Sequence, residues 1–435
     1  MNTVDLITKK RDGGTLTEAE IRHLVMGYTE ERIPDYQMAA FLMAVFFQGM
    51  NREETVALTQ IMKNSGDVVD LSAIHGIKVD KHSTGGVGDK TTLIVGPMAA
   101  ACGVPVAKMS GRGLGFTGGT VDKLESIPGF QIAISEEDFI RQVNETGISV
   151  IGQTGHIAPA DKKLYALRDV TGTVENLSLI TSSVMSKKLA AGSDAILLDV
   201  KCGSGAFMKT PEAAEQLAEL MVEIGTAAGK NTMAVITDMN QPLGCAVGNA
   251  LEVQEAIDVL KGGGPEDLRA LCIQLAGRMI YLGRQAESIA DGIEMAEQTL
   301  RDGSALRCLR ALIAGQGGET AILEDYSLLP QSSIHLKAEA AESGYLTELD
   351  AMRIGLASQH TGAGRERKDD AIDLSAGIVL HHKVGDFVEK GEKIAEICGN
   401  DVKKVEKALE EFQSAVKIGK EMTQPAMLIY KTIRR

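Results

Sequence analysis

At 435 residues the chain is too long for one ordinary core, which predicts two or three domains. Its 44% hydrophobic and 24% charged residues are the balance of a folded globular protein and not of a disordered one. The formal net charge of −14 argues against non-specific binding to nucleic acid or anionic membrane, so an anionic substrate needs a local positive pocket.

The first segment reads as helices. Thr17 and Glu20 form a capping box ahead of Ile21, Leu24, Val25 and Tyr28, which share a helical face. Pro34 opens a second helix whose apolar run, Met38 to Phe47, stops at Gly49, and Asn51 with Glu54 starts a third. Residues 1–66 therefore form a small all-helical unit. Beyond Gly66, β-branched runs alternate with glycine-rich loops and helical patterns. Strands are expected at 76–80, 104–109, 148–152, 194–200 and 232–238, and their spacing implies parallel βαβ units. Helical patterns at 160–169 and 176–191 fall between two of these strands. Periodicity leaves open whether they stay in that layer or return to the N-terminal unit. After residue 335 the stretch GIVLHHKVGDFVEKGEKIAEI, with turns at Gly385 and Gly391, marks a separate β-containing tail. Part of it resembles the strand–turn–strand of lipoyl and biotinyl domains, but no lysine stands in an attachment context.

Cys102, Cys202, Cys245, Cys272, Cys308 and Cys398 lack the short spacing of a zinc knuckle or redox dithiol. They are expected to be reduced and mostly buried in a cytoplasmic protein. The N-terminal residues do not read as a signal peptide, and no apolar run is long enough to span a bilayer.

The densest chemical signal is KHSTGGVGDKTT at 81–92. Here a strand runs into Gly85, Gly86 and Gly88, whose backbone amides can approach an anion, and the next helix adds a favourable dipole. Lys81 supplies charge, and Ser83 and Thr92 supply hydroxyls. Alone, such a loop is as readily a plain glycine-rich turn. A second loop, KMSGRGLGFTGGT at 108–120, follows another strand. Adjacent parallel strands would set both loops at one sheet edge, around one phosphate, with Lys81, Ser83, Thr92, Lys108, Ser110 and Thr120. Neither loop has a Walker spacing or a dinucleotide fingerprint, which disfavours nucleotide hydrolysis and NAD binding. A third cluster pairs ADKKLYALRD (160–169) with SSVMSKK (182–188). Asp161, Tyr165 and Arg168 share one helix face, and Ser183 and Lys187 another. Spacing does not select Arg168 over Arg141, and for any one of these residues a solvated helix charge is the plainer reading.

These segments resemble the thymidine and pyrimidine-nucleoside phosphorylase family. SGRGLGFTGGTVDKLESIPGF (110–130) is similar to its signature, and KHSTGGVGDK, APADKKLYALRDVTGTV, LDVKCGSGAFM and DMNQPLGCAVGNALEV also match, in register over nearly the whole chain. The resemblance implies an α/β fold. An all-α domain comes from 1–66 and 159–193, and a larger α/β domain with a mostly parallel central sheet from 72–158 and 194–330. A small α+β domain follows at 345–435. The active site is then the cleft between the first two, in a homodimer that closes over substrate.

The implied activity is reversible phosphorolysis of pyrimidine nucleosides in salvage, by a pentosyl-class glycosyltransferase without an organic cofactor. By matching position, Lys81, His82, Ser83, Thr92, Lys108, Met109, Ser110 and Thr120 contact phosphate. Arg168 and Lys187, with Ser183 beside them, hold the base, and His82, Arg168 and Lys187 stabilise or protonate it as it leaves. A potassium site corresponds to Gly88, Lys90, Leu243, Ala246 and Glu255, several of them through backbone carbonyls. Two residues depart from the pattern. Lys90 replaces an expected small hydroxyl residue, which a carbonyl ligand survives and a side-chain ligand does not. Phe116 stands where many relatives have His, so the closure hydrogen bond from that position is not expected here. Lys108 and QPLG (241–244) resemble the branch that accepts uridine and thymidine, over a thymidine-restricted one. The nearest rival is anthranilate phosphoribosyltransferase, which binds a pyrophosphorylated ribose with magnesium. A non-enzymatic sugar-phosphate sensor could keep the phosphate loops, but would not need His82, Arg168 and Lys187 together.

Overall fold

Four helices open the chain: α1 (Thr3–Arg11), α2 (Glu18–Thr29), α3 (Asp35–Gln48) and α4 (Arg52–Lys63). The structure is a computed structural model and describes residues 1–113, 118–153, 156–365, 367 and 370–434. Both capping boxes are formed, Thr17 with Glu20 and Asn51 with Glu54, and Pro34 and Gly49 bound α3. The apolar pattern did not announce α1, because an ion pair helps to hold it: Lys10 is buried with its ammonium 2.9 Å from Glu54.

The chain then alternates strands and helices: β1 (Val79–Ser83), α5 (Thr91–Ala101), β2 (Val106–Ser110), α6 (Thr120–Glu125), α7 (Glu136–Thr146) and β3 (Ile148–Gly152). Next come α8 (Pro159–Thr171) and α9 (Leu177–Ala190), which return to the first helices. Ala160, Leu164 and Leu179 join the core of Leu24, Phe41, Leu42 and Leu58, and Thr59 bonds to Ser182 at 3.1 Å. That packing answers the question periodicity left open.

The sheet resumes with β4 (Ala195–Cys202), α10 (Pro211–Ala227), β5 (Asn231–Asp238) and β6 (Ala246–Gly248). Helices α11 (Asn249–Leu260), α12 (Glu266–Leu282), α13 (Ile289–Arg301) and α14 (Ser304–Gly315) follow. All eight residues of β4 are buried, because both faces of the sheet are covered. Alternation sends Ile196, Leu198 and Val200 to a core with Leu217 and Met221 of α10, and Ala195 and Leu197 to the larger core with Cys272 and Leu275 of α12.

β1, β4 and β5 pair in parallel, whereas β2 pairs in parallel with β3 in a separate two-stranded sheet. The two glycine-rich loops therefore follow strands that lie side by side without a shared ladder, unlike the expectation of one continuous edge. Val79 N reaches Pro105 O at 3.2 Å, and the Lys108 ammonium donates to Lys81 O. A lysine head thus fills part of the gap between the strands.

The tail comprises β7 (Ile334–Glu339), β8 (Gly344–Leu349), α15 (Ala351–Ser358), β9 (Gly377–Leu380), β10 (Phe387–Val388), β11 (Lys393–Gly399), α16 (Val402–Ser414), β12 (Val416–Gly419) and β13 (Ile429–Arg434). It starts earlier than its sequence boundary, since β7 pairs with β11. It also trades strands with the α/β part: β6 pairs antiparallel with β9, and β13 lies antiparallel against β5. Among the described residues no helix is long and apolar enough to cross a membrane. All six cysteines are unpaired, with Cys202, Cys272 and Cys398 buried.

Candidate active site

β1 carries Asp80, Lys81, His82 and Ser83 into the interior, and strand alternation sends them to two faces. On one face Asp80 is 1% exposed and lies 2.7 Å from the Lys188 ammonium of α9 and 3.3 Å from that of Lys108 on β2. Burial alone would raise its pKa, but the two lysines hold the carboxyl below its ordinary range. On the other face Lys81 pairs with Asp199 of β4 at 3.0 Å and bonds to Thr91 Oγ1. Asp199 also takes Lys201 at 2.8 Å and Thr237 at 2.7 Å.

His82 sits among these cations. Its Nε2 is buried with no partner among the described residues. Burial, then Lys188, Lys108, Lys187 and Lys81, drive its pKa well below the ordinary value, so the imidazole is neutral. Burial likewise pushes Lys108 down to about 8, against the opposing pull of Asp80.

The first loop is organised from within by Asp89. It accepts from Thr91 Oγ1 at 2.6 Å and from the Ser83 hydroxyl, which in turn receives Gly85 N at 3.2 Å. Burial opposes the Asp89 charge, but Lys201 and Lys81 hold it well below the usual carboxylate range. Thr92 stands one position into α5, half-buried. In the second loop, Met109 is buried with its carbonyl on the Lys188 ammonium at 3.2 Å, Ser110 accepts from Gln153 N at 3.0 Å, and Thr120 opens α6. Arg112 and the tail's Arg365 both reach Asp122, at 3.0 and 2.9 Å. Residues 114–117, including Phe116, lie outside the described residues.

On the helical side, Lys187 pairs with Asp161 and donates to Ser183 Oγ at 3.1 Å. Arg168 is placed differently from the expectation of a side chain open to the cleft. It is 2% exposed and donates to the carbonyls of Thr173 at 3.2 Å, Leu179 at 3.1 Å and Val174 at 2.6 Å. The cause is local. α8 ends at Gly172 in the left-handed conformation, and the chain folds back over the guanidinium. Three of the five N–H groups of an arginine are spent in this way. Burial lowers its pKa to about 10.

The residues matched to a potassium site also come together, but around an ammonium. Lys90 Nζ donates to Ala246 O at 2.8 Å and Leu243 O at 3.1 Å and pairs with Glu255. Glu255 in turn accepts from Cys245 N at 2.9 Å and Ala246 N at 3.0 Å. The Gly88 carbonyl accepts from Lys90 N at 2.9 Å. These residues therefore do not fit a potassium ion, because the chain's own cation lies on the oxygens that would ligate it.

Sequence reasoning missed Asp80, Asp89, Lys188 and Asp199. A signal existed: acidic residues in the strand runs KVDKHS and LLDVK are rare unless paired, and Lys188 adjoins Lys187.

The comparisons with known proteins agree with this architecture. The helical-bundle domain of the glycosyl transferase family matches residues 4–66, and its a/b domain matches 75–306. The C-terminal domain of pyrimidine nucleoside phosphorylases matches 345–419. These matches define the class, a glycosyl transferase built from a helical bundle and an α/β domain. The chain is 54% identical to the pyrimidine-nucleoside phosphorylase of Geobacillus stearothermophilus and 55% identical to that of Staphylococcus haemolyticus, over 433 residues and 100% of each chain. It belongs to the pyrimidine-nucleoside phosphorylase family. The crystal structure of anthranilate phosphoribosyltransferase from Thermus thermophilus shares the fold, with a TM-score of 0.58 and 21% identity over 72% of this chain and 99% of that one.

Proposed function

We propose that this enzyme catalyses reversible phosphorolysis of uridine, thymidine and deoxyuridine to the free base and (deoxy)ribose 1-phosphate, as a cytoplasmic homodimer acting in salvage. The observation that carries this reading is the convergence of Lys81, Lys108, Lys187 and Lys188 on a neutral histidine, inside a protein of net charge −14. Such a cluster supplies the local positive pocket that a phosphate dianion requires.

Phosphate is the nucleophile, so no side chain need bond covalently to the sugar. Phosphate oxygen bonds to the anomeric carbon as the glycosidic bond breaks, and the pair of electrons leaves with the base. His82, whose Nε2 has no partner among the described residues, can hydrogen-bond to the departing pyrimidine. Lys187 and the unspent N–H groups of Arg168 can stabilise its developing negative charge, and Ser83, Ser110 and Thr120 can orient the phosphate. Lys188 acts as a positioning residue, tying α9 to β1 and to the Met109 carbonyl.

The test is phosphate-dependent release of uracil and thymine from their nucleosides. Cleavage of both supports the reading, and cleavage of thymidine alone restricts it. No release from either nucleoside, with magnesium-dependent joining of a base to a pyrophosphorylated ribose and loss of pyrophosphate instead, would replace phosphorolysis by phosphoribosyl transfer.

A further inference from the structure

We infer that Lys90 is a built-in monovalent cation: its ammonium takes the place of the potassium ion implied by the family resemblance, and the enzyme neither binds nor requires that ion.

The geometry is that of a filled site. Lys90, the residue before α5, is 1% exposed, and its ammonium faces three oxygens, those of Leu243, Ala246 and Glu255. An ammonium has three N–H donors and no acceptor, so three oxygens exhaust it. A second cation among the same oxygens would lie against a like charge in a buried setting, where repulsion is poorly screened.

The backbone closes around this arrangement. Gly88 has φ +71°, and a Cβ there would lie 2.5 Å from Leu243 O and 3.2 Å from Ala246 O. Gly244 has φ +69°, and a Cβ there would lie 2.3 Å from Glu255 Oε2 and 3.1 Å from Lys90 Nζ. Both positions need glycine for the left-handed turn and for the close approach. Two further carbonyls of the loop are claimed by a second lysine. Lys383 of the tail donates to Pro242 O and to Gly244 O at 2.8 Å, and pairs with Asp267 at 2.9 Å. Two ammonium groups thus take the carbonyls of Pro242, Leu243, Gly244 and Ala246, while that of Cys245 accepts from Leu380 N at 2.8 Å.

The consequence reaches the phosphate loop. Lys90 follows Asp89, which organises that loop, and its side chain ties the start of α5 to residues 243–246 and to α11. A soluble ion would make this link dependent on salt composition, whereas a covalently tethered cation makes it permanent.

The experiment compares potassium chloride with choline chloride at about 0.1 M, where charge screening is the same. For the unaltered enzyme, the melting midpoint should be equal in the two salts and kcat/KM should agree within about twofold, a free-energy difference well below the tenfold step. Lys90→Thr should melt lower in choline and lose about tenfold or more in kcat/KM, with potassium restoring both. Potassium that saturably raises the melting midpoint of the unaltered enzyme, or activates it about tenfold, overturns the proposal. So does a Lys90→Thr variant as stable and active in choline as the parent. Should Lys90→Thr fail to fold, the parent's response to potassium still decides. The melting readout stands whatever nucleoside the enzyme accepts.

Discussion

Replacing Asp80 by Asn keeps the shape of β1 and removes the carboxylate that Lys108 and Lys188 share. The two ammonium groups lie 3.3 and 2.7 Å from it, in a site where all three side chains are almost fully buried. At an effective dielectric near 20 those separations correspond to gross attractions of about 5 and about 6 kcal/mol. Desolvating three charges offsets much of this, and removing one member of a buried set typically costs about 3–5 kcal/mol net. Asp80→Asn should therefore lose stability of that order in urea unfolding at pH 7. The deficit should shrink as pH rises. Lys108 already titrates near 8 in the folded protein against 10.5 as a free side chain, and loss of Asp80 lowers it further. Below about 8 the variant's folded chain has shed the Lys108 proton that the parent's keeps, so only the variant gains stability with pH there, whereas above about 8 both gain alike. Adding Lys188→Met should recover part of the loss, since one fewer buried charge is left uncompensated. A variant within about 1 kcal/mol of the parent at pH 7 would refute the idea that this triad joins α9 to the sheet.

His82→Asn should cut turnover by about a hundredfold, the scale of one proton-transfer group, while the melting midpoint stays put because Nε2 has no partner among the described residues to lose. A melting point that falls with turnover would make His82 a packing residue. The apparent KM for phosphate should rise as pH passes about 8, where Lys108 gives up its charge, and Lys108→Arg should remove that rise because arginine stays protonated. An unchanged profile in Lys108→Arg would assign the titration elsewhere. Arg168→Ala should lower both turnover and melting midpoint, since three backbone carbonyls lose their donors, whereas Arg141→Ala, which leaves only the exposed pair with Asp138, should stay within about 0.5 kcal/mol. Equal behaviour of the two variants would return Arg168 to the surface.

Much of the fold was legible because local rules acted unopposed. The capping boxes at Thr17 and Asn51 and the strand 148–152 appear where the pattern put them. What stayed hidden depended on distant partners. β1 lies three residues later than its apolar run suggested, because the charged stretch Lys81–Ser83 is made compatible with an interior strand by Asp199, Asp89 and Lys201. The burial of Arg168 follows from the chain reversal after Gly172, which helical spacing does not encode. The ammonium of Lys90 among the 243–246 carbonyls follows from a contact across more than 150 positions, since Leu243 lies 153 residues away in sequence. Sequence spacing could mark that lysine as unusual but could not show what it touches.

The exchange of strands between the tail and the central sheet bears on how the molecule can move. β13 runs along β5 from Ile429 to Arg434, and β6 is committed to β9. Any opening of the cleft must therefore carry the tail with the α/β part as one rigid block, because separating them would break two ladders. The chain passes between the helices and the sheet three times, after α4, after β3 and after α9, so a hinge between the two would lie at these crossings. Three tethers between two bodies act as an axle: they allow rotation about a line through them and resist sliding. Lys188 on Asp80 lies beside one of these crossings, so it would travel little while the far lip of the cleft swings.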